Sequence, residues 1–188
     1  MPAQLVYYIA TTLDGRIAAL DGSYDAFLNA GPHADEFVEA IDGFTGVLMG
    51  RKTYEVGLKA GLPFGQPAYP GRANYVFSKT LTAPTNHSKE LTFVSSSAAA
   101  FVATLKQQHE GRLWLCGGGE LAGSLIEAGL IDALRLKINP VLLGDGRPLA
   151  SALTRSHHAR LHKTTVHSNG VVVAEYELEA SETSKRVT

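Results

Sequence analysis

The sequence predicts an α/β fold: a mostly parallel central sheet flanked by helices, ending in a C-terminal antiparallel hairpin. Three observations carry this reading. Short, nearly continuous apolar runs recur at residues 5–10, 46–49, 75–77, 91–94 and 113–116, as strands covered on both faces require. Segments of helical periodicity fall between them, and alternation of the two favours parallel strands joined by crossovers. Ser168-Asn169-Gly170 separates two β-rich runs, and Asn-Gly there is a strong hairpin signal.

In chain order, the first run is followed by a helix over residues 33–42, with Phe37, Val38 and Ile41 on one face. The run 46–49 ends at Gly50, where Thr53 can cap the helix that follows. Residues 58–72 are rich in proline and glycine and read as a loop, because a strand resumes at once. Helices are expected over 97–109, with Phe101, Val102 and Leu105 aligned, and over 120–128, with Leu121, Leu125 and Ile126 aligned. Leu134, Leu136 and Ile138 alternate with Arg135 and Lys137, as in a half-exposed strand. Residues 161–167 and 171–178 form the hairpin arms. One domain is expected over residues 1–180, with a flexible polar tail at 181–188.

A chain of 188 residues can bury a full core without disulfides or metals. Its hydrophobic fraction of 45% and charged fraction of 19% place it among globular proteins. The formal net charge of −1 offers nothing to nucleic acid or anionic lipid. Cys116 is the single cysteine, so no internal disulfide can form, which fits a cytoplasmic setting. The apolar run at 5–10 is too short for a membrane span and lacks the basic flank of a signal peptide.

Three strand ends carry groups suited to phosphate, and ligands of open α/β sheets bind outside the carboxyl ends of strands. After 46–49 comes Gly50-Arg51-Lys52-Thr53-Tyr54-Glu55. Gly50 permits a sharp turn, Arg51 offers a planar fork of donors, and Thr53 can donate at a helix start. The alternative is a plain turn with a solvated arginine. After 75–77 comes Ser78-Lys79-Thr80, a hydroxyl and an ammonium suited to a ribose phosphate, or simply a polar turn. After 113–116 come Gly117, Gly118 and Gly119, then Glu120 and Leu121. Three glycines bare a row of backbone N–H groups where a helix dipole favours an anion. Close strand–helix packing would also explain them. Residues 117–122 also fit G-x-G-x-x-A, but no acidic residue closes a strand about twenty residues on, as a dinucleotide fingerprint requires.

These motifs, in this order and spacing, resemble the dihydrofolate reductase superfamily. More narrowly, Thr12-Leu13-Asp14-Gly15-Arg16-Ile17-Ala18 and the segment 139–149, Asn139-Pro140-Val141-Leu142-Leu143-Gly144-Asp145-Gly146-Arg147-Pro148-Leu149, are similar to the reductase domain of bacterial riboflavin biosynthesis. The resemblance spans residues 5–178. It implies a dihydrofolate-reductase-like fold and an NADPH site, with Gly50, Arg51 and Thr53 toward the phosphates and Ser78 with Lys79 near the adenosine 2′-phosphate. Gly117 to Leu121 would hold the pyrophosphate and the nicotinamide side, and Ala10 and Ile17 would line the nicotinamide. It implies hydride transfer to a pterin-like or pyrimidine-like ring, and often a homodimer, for which the late strands at 134–138 and 171–178 could supply the contact.

The chain lacks both the His-x-Glu and the Pro-Cys-x-x-Cys elements of a zinc deaminase, so it cannot deaminate that way. Asp35 stands near the position of the acid that dihydrofolate reductases use, or is a helix-start acid favoured by the dipole. Arg72, in Pro70-Gly71-Arg72, looks like the folate-tail segment and could take a substrate carboxylate, or be a surface arginine. His157, His158, His162 and His167 match no metal spacing and read as surface residues; Cys116 reads as a small buried hydrophobe. Residues 19–32 and 58–71 are expected to line a small-molecule pocket. Two other readings stay open: a nucleotide-binding protein of this fold without catalysis, and a Rossmann-type dehydrogenase preferring NADH.

Overall fold

The computed structural model describes residues 2–179. The tail expected at 181–188 lies outside the described residues. In chain order the elements are β1 (Leu5–Thr12), β2 (Arg16–Ala18), α1 (Pro32–Ile41), β3 (Gly46–Gly50), α2 (Arg51–Lys59), β4 (Ala73–Phe77) and β5 (Leu91–Val94). There follow α3 (Ala98–Gln108), β6 (Leu113–Gly117), α4 (Gly119–Glu127), β7 (Ala133–Asn139), β8 (Arg147–Pro148), β9 (Ala159–Val166) and β10 (Val172–Leu178).

Eight strands form one sheet in the order β5-β4-β3-β6-β1-β7-β10-β9, and β2 with β8 forms a separate two-stranded ribbon. Strands β5 to β7 along this order pair in parallel; β10 runs antiparallel to both β7 and β9. The fold is the dihydrofolate-reductase-like arrangement that the motifs imply. From β1 the chain crosses to β3 and moves outward to β5. It then returns to fill the gap with β6, so β6 lies between β1 and β3 where the winding reverses.

Strand alternation divides the core between two faces. Leu5, Tyr7 and Leu115 pack with Val102 of α3 and Leu121, Leu125 and Ile126 of α4. Val6, Tyr8 and Trp114 pack with Phe37 and Ile41 of α1 and Tyr54 of α2. This is the period-two rule of strands applied to a sheet covered on both sides. Helix α3 begins as its sequence indicates: the Ser97 hydroxyl accepts from the Ala100 N–H. Helix α2 does not. Its cap is Gly50, and Thr53 is its third residue, so the capping role expected of Thr53 is corrected.

The two motifs at 12–18 and 139–149 are one structural unit. Asp14 accepts from the Thr12 hydroxyl at 2.5 Å and from the Leu143 and Gly144 N–H groups at 3.1 and 2.8 Å. Leu13 N–H donates to Val141 O, and β2 pairs with β8 across the same junction. No helix among the described residues is long and apolar enough to cross a membrane.

Candidate active site

The parallel strands bring the ends of β1, β3, β4 and β6 to one edge of the sheet, which assembles the three predicted phosphate motifs. Helices α2 and α4 start there from the adjacent strands β3 and β6. Their caps are Gly50 and Gly118, and neither start receives a side-chain hydrogen bond. First-turn N–H groups left without a side-chain acceptor, on two adjacent dipoles, are groups that suit an anion.

The glycines divide by role. Gly117 has φ 150°, a region that suits glycine, and a Cβ there would lie 3.2 Å from Thr53 Oγ1 and 3.5 Å from Ile9 Cδ1. A Cβ on Gly118 would meet only Thr53 Oγ1, at 3.8 Å. A Cβ on Gly119 would instead overlap the Pro148 carbonyl oxygen, so close packing explains that glycine. Leu121 belongs to the hydrophobic core and not to a nicotinamide surface, which corrects its expected role; Glu120 is exposed. The Gly117–Gly118 peptide is cis.

Other predicted residues sit at the same edge in varied states. Arg51 pairs with Glu55 at 2.6 Å along α2, both side chains partly exposed. Ser78 is buried, and its oxygen accepts from the Thr80 and Leu81 N–H groups. Its turn role is therefore real, although the hydroxyl hydrogen stays free to donate. Lys79 is exposed. Ala10 lies in β1 beside Lys137 of β7, and Ile17 lies in β2.

Two placements overturn expectations. Arg72 immediately precedes β4, at the amino edge, opposite the strand ends above. It donates to Asp42 at 2.7 Å and to the Phe44 carbonyl at 3.1 Å, so its fork is spent on the α1–β3 loop. Asp35 is exposed on α1 and is not in a cleft. Its neighbour Glu36 faces the sheet, because residues one apart on a helix diverge by about 100°. Glu36 meets Arg135 at 2.5 Å and His167 at 2.9 Å. Arg135 also approaches Glu175 at 3.4 Å and lies over the Tyr8 ring. His33, fully buried, contacts Leu28 O through Nε2 and the Asn169 amide through Nδ1. The histidine expectation is thus corrected in part: His158 and His162 are exposed, whereas His167 is tied to Glu36 and His157 to Glu127 at 3.0 Å.

Residues that periodicity could not single out complete the site. Tyr69, from the 58–72 loop, packs edge-on against Trp114 at 4.6 Å, and its hydroxyl lies 3.5 Å from Cys116 Sγ. Burial pushes the Cys116 thiol up to about 11, so it behaves as a neutral, apolar wall. Trp114 continues to Phe37 at 5.6 Å and Phe37 to Tyr8 at 5.0 Å, an aromatic floor under the α1 face. Leu13, Leu20, Tyr24 and Leu28 are exposed large hydrophobics in the loop after β1. Of the loops expected to line a pocket, 19–32 carries the exposed Tyr24 and 58–71 the partly buried Tyr69.

The model of the RibD C-terminal domain matches residues 3–173. The chain belongs to this family. It is 36% identical over 169 residues to the uncharacterized protein YwjB of Bacillus subtilis, covering 87% of this chain and 92% of that one. Among solved structures, a protein from Shewanella sp. PV-4, described as a riboflavin biosynthesis protein, superposes with TM-score 0.79 at 26% identity, covering 95% of this chain and 99% of that one. The deaminase/5-amino-6-(5-phosphoribosylamino)uracil reductase of Thermotoga maritima shares the fold, with TM-score 0.68 at 14% identity, covering 95% of this chain and 57% of that one.

Proposed function

We propose that this RibD-family chain is an oxidoreductase, one reductase-like domain over residues 1–180, that uses NADPH to reduce a small heterocyclic, pterin- or pyrimidine-like, substrate. The observation that carries the reading is the pair of adjacent helix starts at Gly50 and Gly118, uncapped by side chains, with Thr53 Oγ1 beside Gly117. These groups fit a pyrophosphate: backbone donors, a hydroxyl and glycine surfaces that admit close approach. Arg51, Ser78 and Lys79 would receive the 2′-phosphate, and Ala10 and Ile17 the nicotinamide. When bound, the dihydronicotinamide supplies the hydride. The chain's own part is to hold the ring against β1 and to exclude water with the partly buried Tyr69 and Phe37, which pack on Trp114. The uracil reductase activity in the name of the Thermotoga protein supports a pyrimidine-like ring. The single buried cysteine fits a cytoplasmic enzyme.

Fluorescence titration of NADPH and NADH, with turnover assays across pterins and pyrimidines, tests the reading. NADPH should bind more tightly, and added salt should erode the preference because Lys79 and Arg51 are accessible. Equal affinities would remove Arg51, Ser78 and Lys79 from 2′-phosphate recognition. Binding without turnover would favour the non-catalytic nucleotide-binding alternative, and binding of neither cofactor would defeat the reductase reading.

A symmetric homodimer belongs to the same proposal. The strands at 134–138 and 171–178 are paired on both sides as β7 and β10, so the edge available for contact is β9, where Leu161 and Val166 are 54% and 73% accessible. Unpaired apolar edges are normally covered. Light scattering at micromolar concentration should give twice the chain mass; a monomer mass would refute it.

A further inference from the structure

Strand β7 presents two cations to the α1 face, two residues apart, and they are treated differently. Arg135 has Glu36 and Glu175 as counter-ions and the Tyr8 ring beneath it. Lys137 has no salt bridge or hydrogen-bond partner among the described residues; its Nζ lies 4.8 Å from the Phe37 ring centroid. Its direct register neighbours, Ala10 on β1 and Val173 on β10, carry no charge, and Glu175, two residues along β10, is drawn to Arg135. Glu36, the acid that α1 turns toward the sheet, is engaged by Arg135 and His167. Lys137 is only partly accessible, and burial lowers its pKa. A lysine in such a place pays for desolvation without a fixed partner, and a cation on an aromatic face recovers only part of that cost.

Its position gives the vacancy in charge a meaning. Lys137 is two residues before the end of β7, and Ala10 is two before the end of β1, so both lie by the carboxyl edge. Phe37 beside it is only partly buried, and it is held from below by edge-on packing against the buried Trp114. We infer that Lys137 is the substrate anchor of this site: its ammonium holds a negatively charged oxygen of a planar, pyrimidine-like ring lying beside Phe37 and Ala10. The inference rests on the reductase reading for the nature of the site. It adds that the ring is bound as an oxyanion and names the residue that selects it. On this reading recognition works through a cation and not through an acid such as the one expected at Asp35.

Calorimetric titration of barbiturate, an anionic pyrimidine, and of neutral uracil tests this on the full chain, with and without saturating NADP⁺. The wild type should prefer barbiturate about ten- to hundredfold, the worth of one charged hydrogen bond. Lys137→Met, which keeps the stem over Phe37, should erase the preference, and Lys137→Arg should keep most of it. NADPH affinity should stay within about twofold in both variants, which also shows that they are folded. Equal binding of the two ligands by wild type, no binding of either, or a preference that survives in Lys137→Met overturns the assignment. Displacement of barbiturate by inorganic phosphate from the NADP⁺-saturated protein would mean that Lys137 holds a phosphate and not a ring oxygen, and also overturns it. A Lys137-dependent preference in a chain that binds no NADPH would leave the anchor standing and defeat the cofactor reading alone.

Discussion

The two edges of the sheet use the same residue types to opposite ends. At the amino edge, charges close on one another. Lys106 meets Asp132 at 2.6 Å, Asp132 also accepts from the Leu5 N–H, and Arg72 is held by Asp42 and Phe44. Glu127 gathers Thr154, His157 and Arg155. A cavity of about 330 Å³ lies there, lined by Gln4, Ile131, Asp132, Arg155 and His157, but the polar groups around it are largely committed to each other. At the carboxyl edge, helix starts lack side-chain caps, and Lys79 and Lys137 have no ion-pair partner among the described residues. The difference teaches that the edge proposed to bind the cofactor is distinguished by uncommitted polar groups and not by concavity.

The glycines of α4 offer the sharpest way to break this comparison. Gly123→Ala would drive its Cβ into the Ser151 carbonyl. It should cost about 3 kcal/mol, near 10 °C in Tm by thermal denaturation. Gly118→Ala, with 3.8 Å to Thr53 Oγ1 and an extended backbone, should keep Tm within about 2 °C yet weaken NADPH binding about tenfold. If Gly118→Ala binds NADPH normally, that glycine is structural too.

The two arginines set the next test. Arg51→Ala should reduce NADPH affinity about tenfold, the lower end for a charged hydrogen bond because Glu55 already competes for the fork. Arg72→Ala, at the other edge, should leave NADPH affinity unchanged. An equal loss in both would erase the distinction between the edges.

The smallest effect concerns the clamp behind the site. The Thr12 hydroxyl and the Leu143 N–H hold the Asp14 carboxyl down to about 2, below its usual 3.8. A depressed carboxyl stabilises the fold above its unfolded value, and the contribution fades as pH falls from about 4 toward 2. Tm against pH should therefore fall less steeply through that window in Asp14→Asn than in the wild type. Parallel curves would deny Asp14 this role. Glu127, held down to about 2 first by His157, should give a second, independent component at the amino edge.

Much of the frame was legible in the residues. The run at 91–94 is β5 itself, and the other strand cores differ from the structure by a few residues at their ends. The glycine segment at 117–119 was legible as a helix start but not in its division between an open surface and tight packing. That depends on Pro148, far along the chain. The β2–β8 ribbon escaped because two- and three-residue strands carry no periodicity; Asp14-Gly15 and Asp145-Gly146 were its available turn signals. Asp35 was preferred to Glu36 because a one-residue error on a helix exchanges an exposed side chain for an inward one.

By itself the sequence determined the alternation of strands and helices, the hairpin, and which strand ends carry glycines and donors. Those follow from period, turn chemistry and chain direction, all local properties. Only the tertiary structure decided which charges are used up. Arg72 closes on Asp42, 30 residues away, and Arg135 on Glu36, 99 residues away, while Lys137 on the same strand has no ion-pair partner among the described residues. Ion pairing and desolvation act through space, so a charged residue's role is set by what the fold brings beside it.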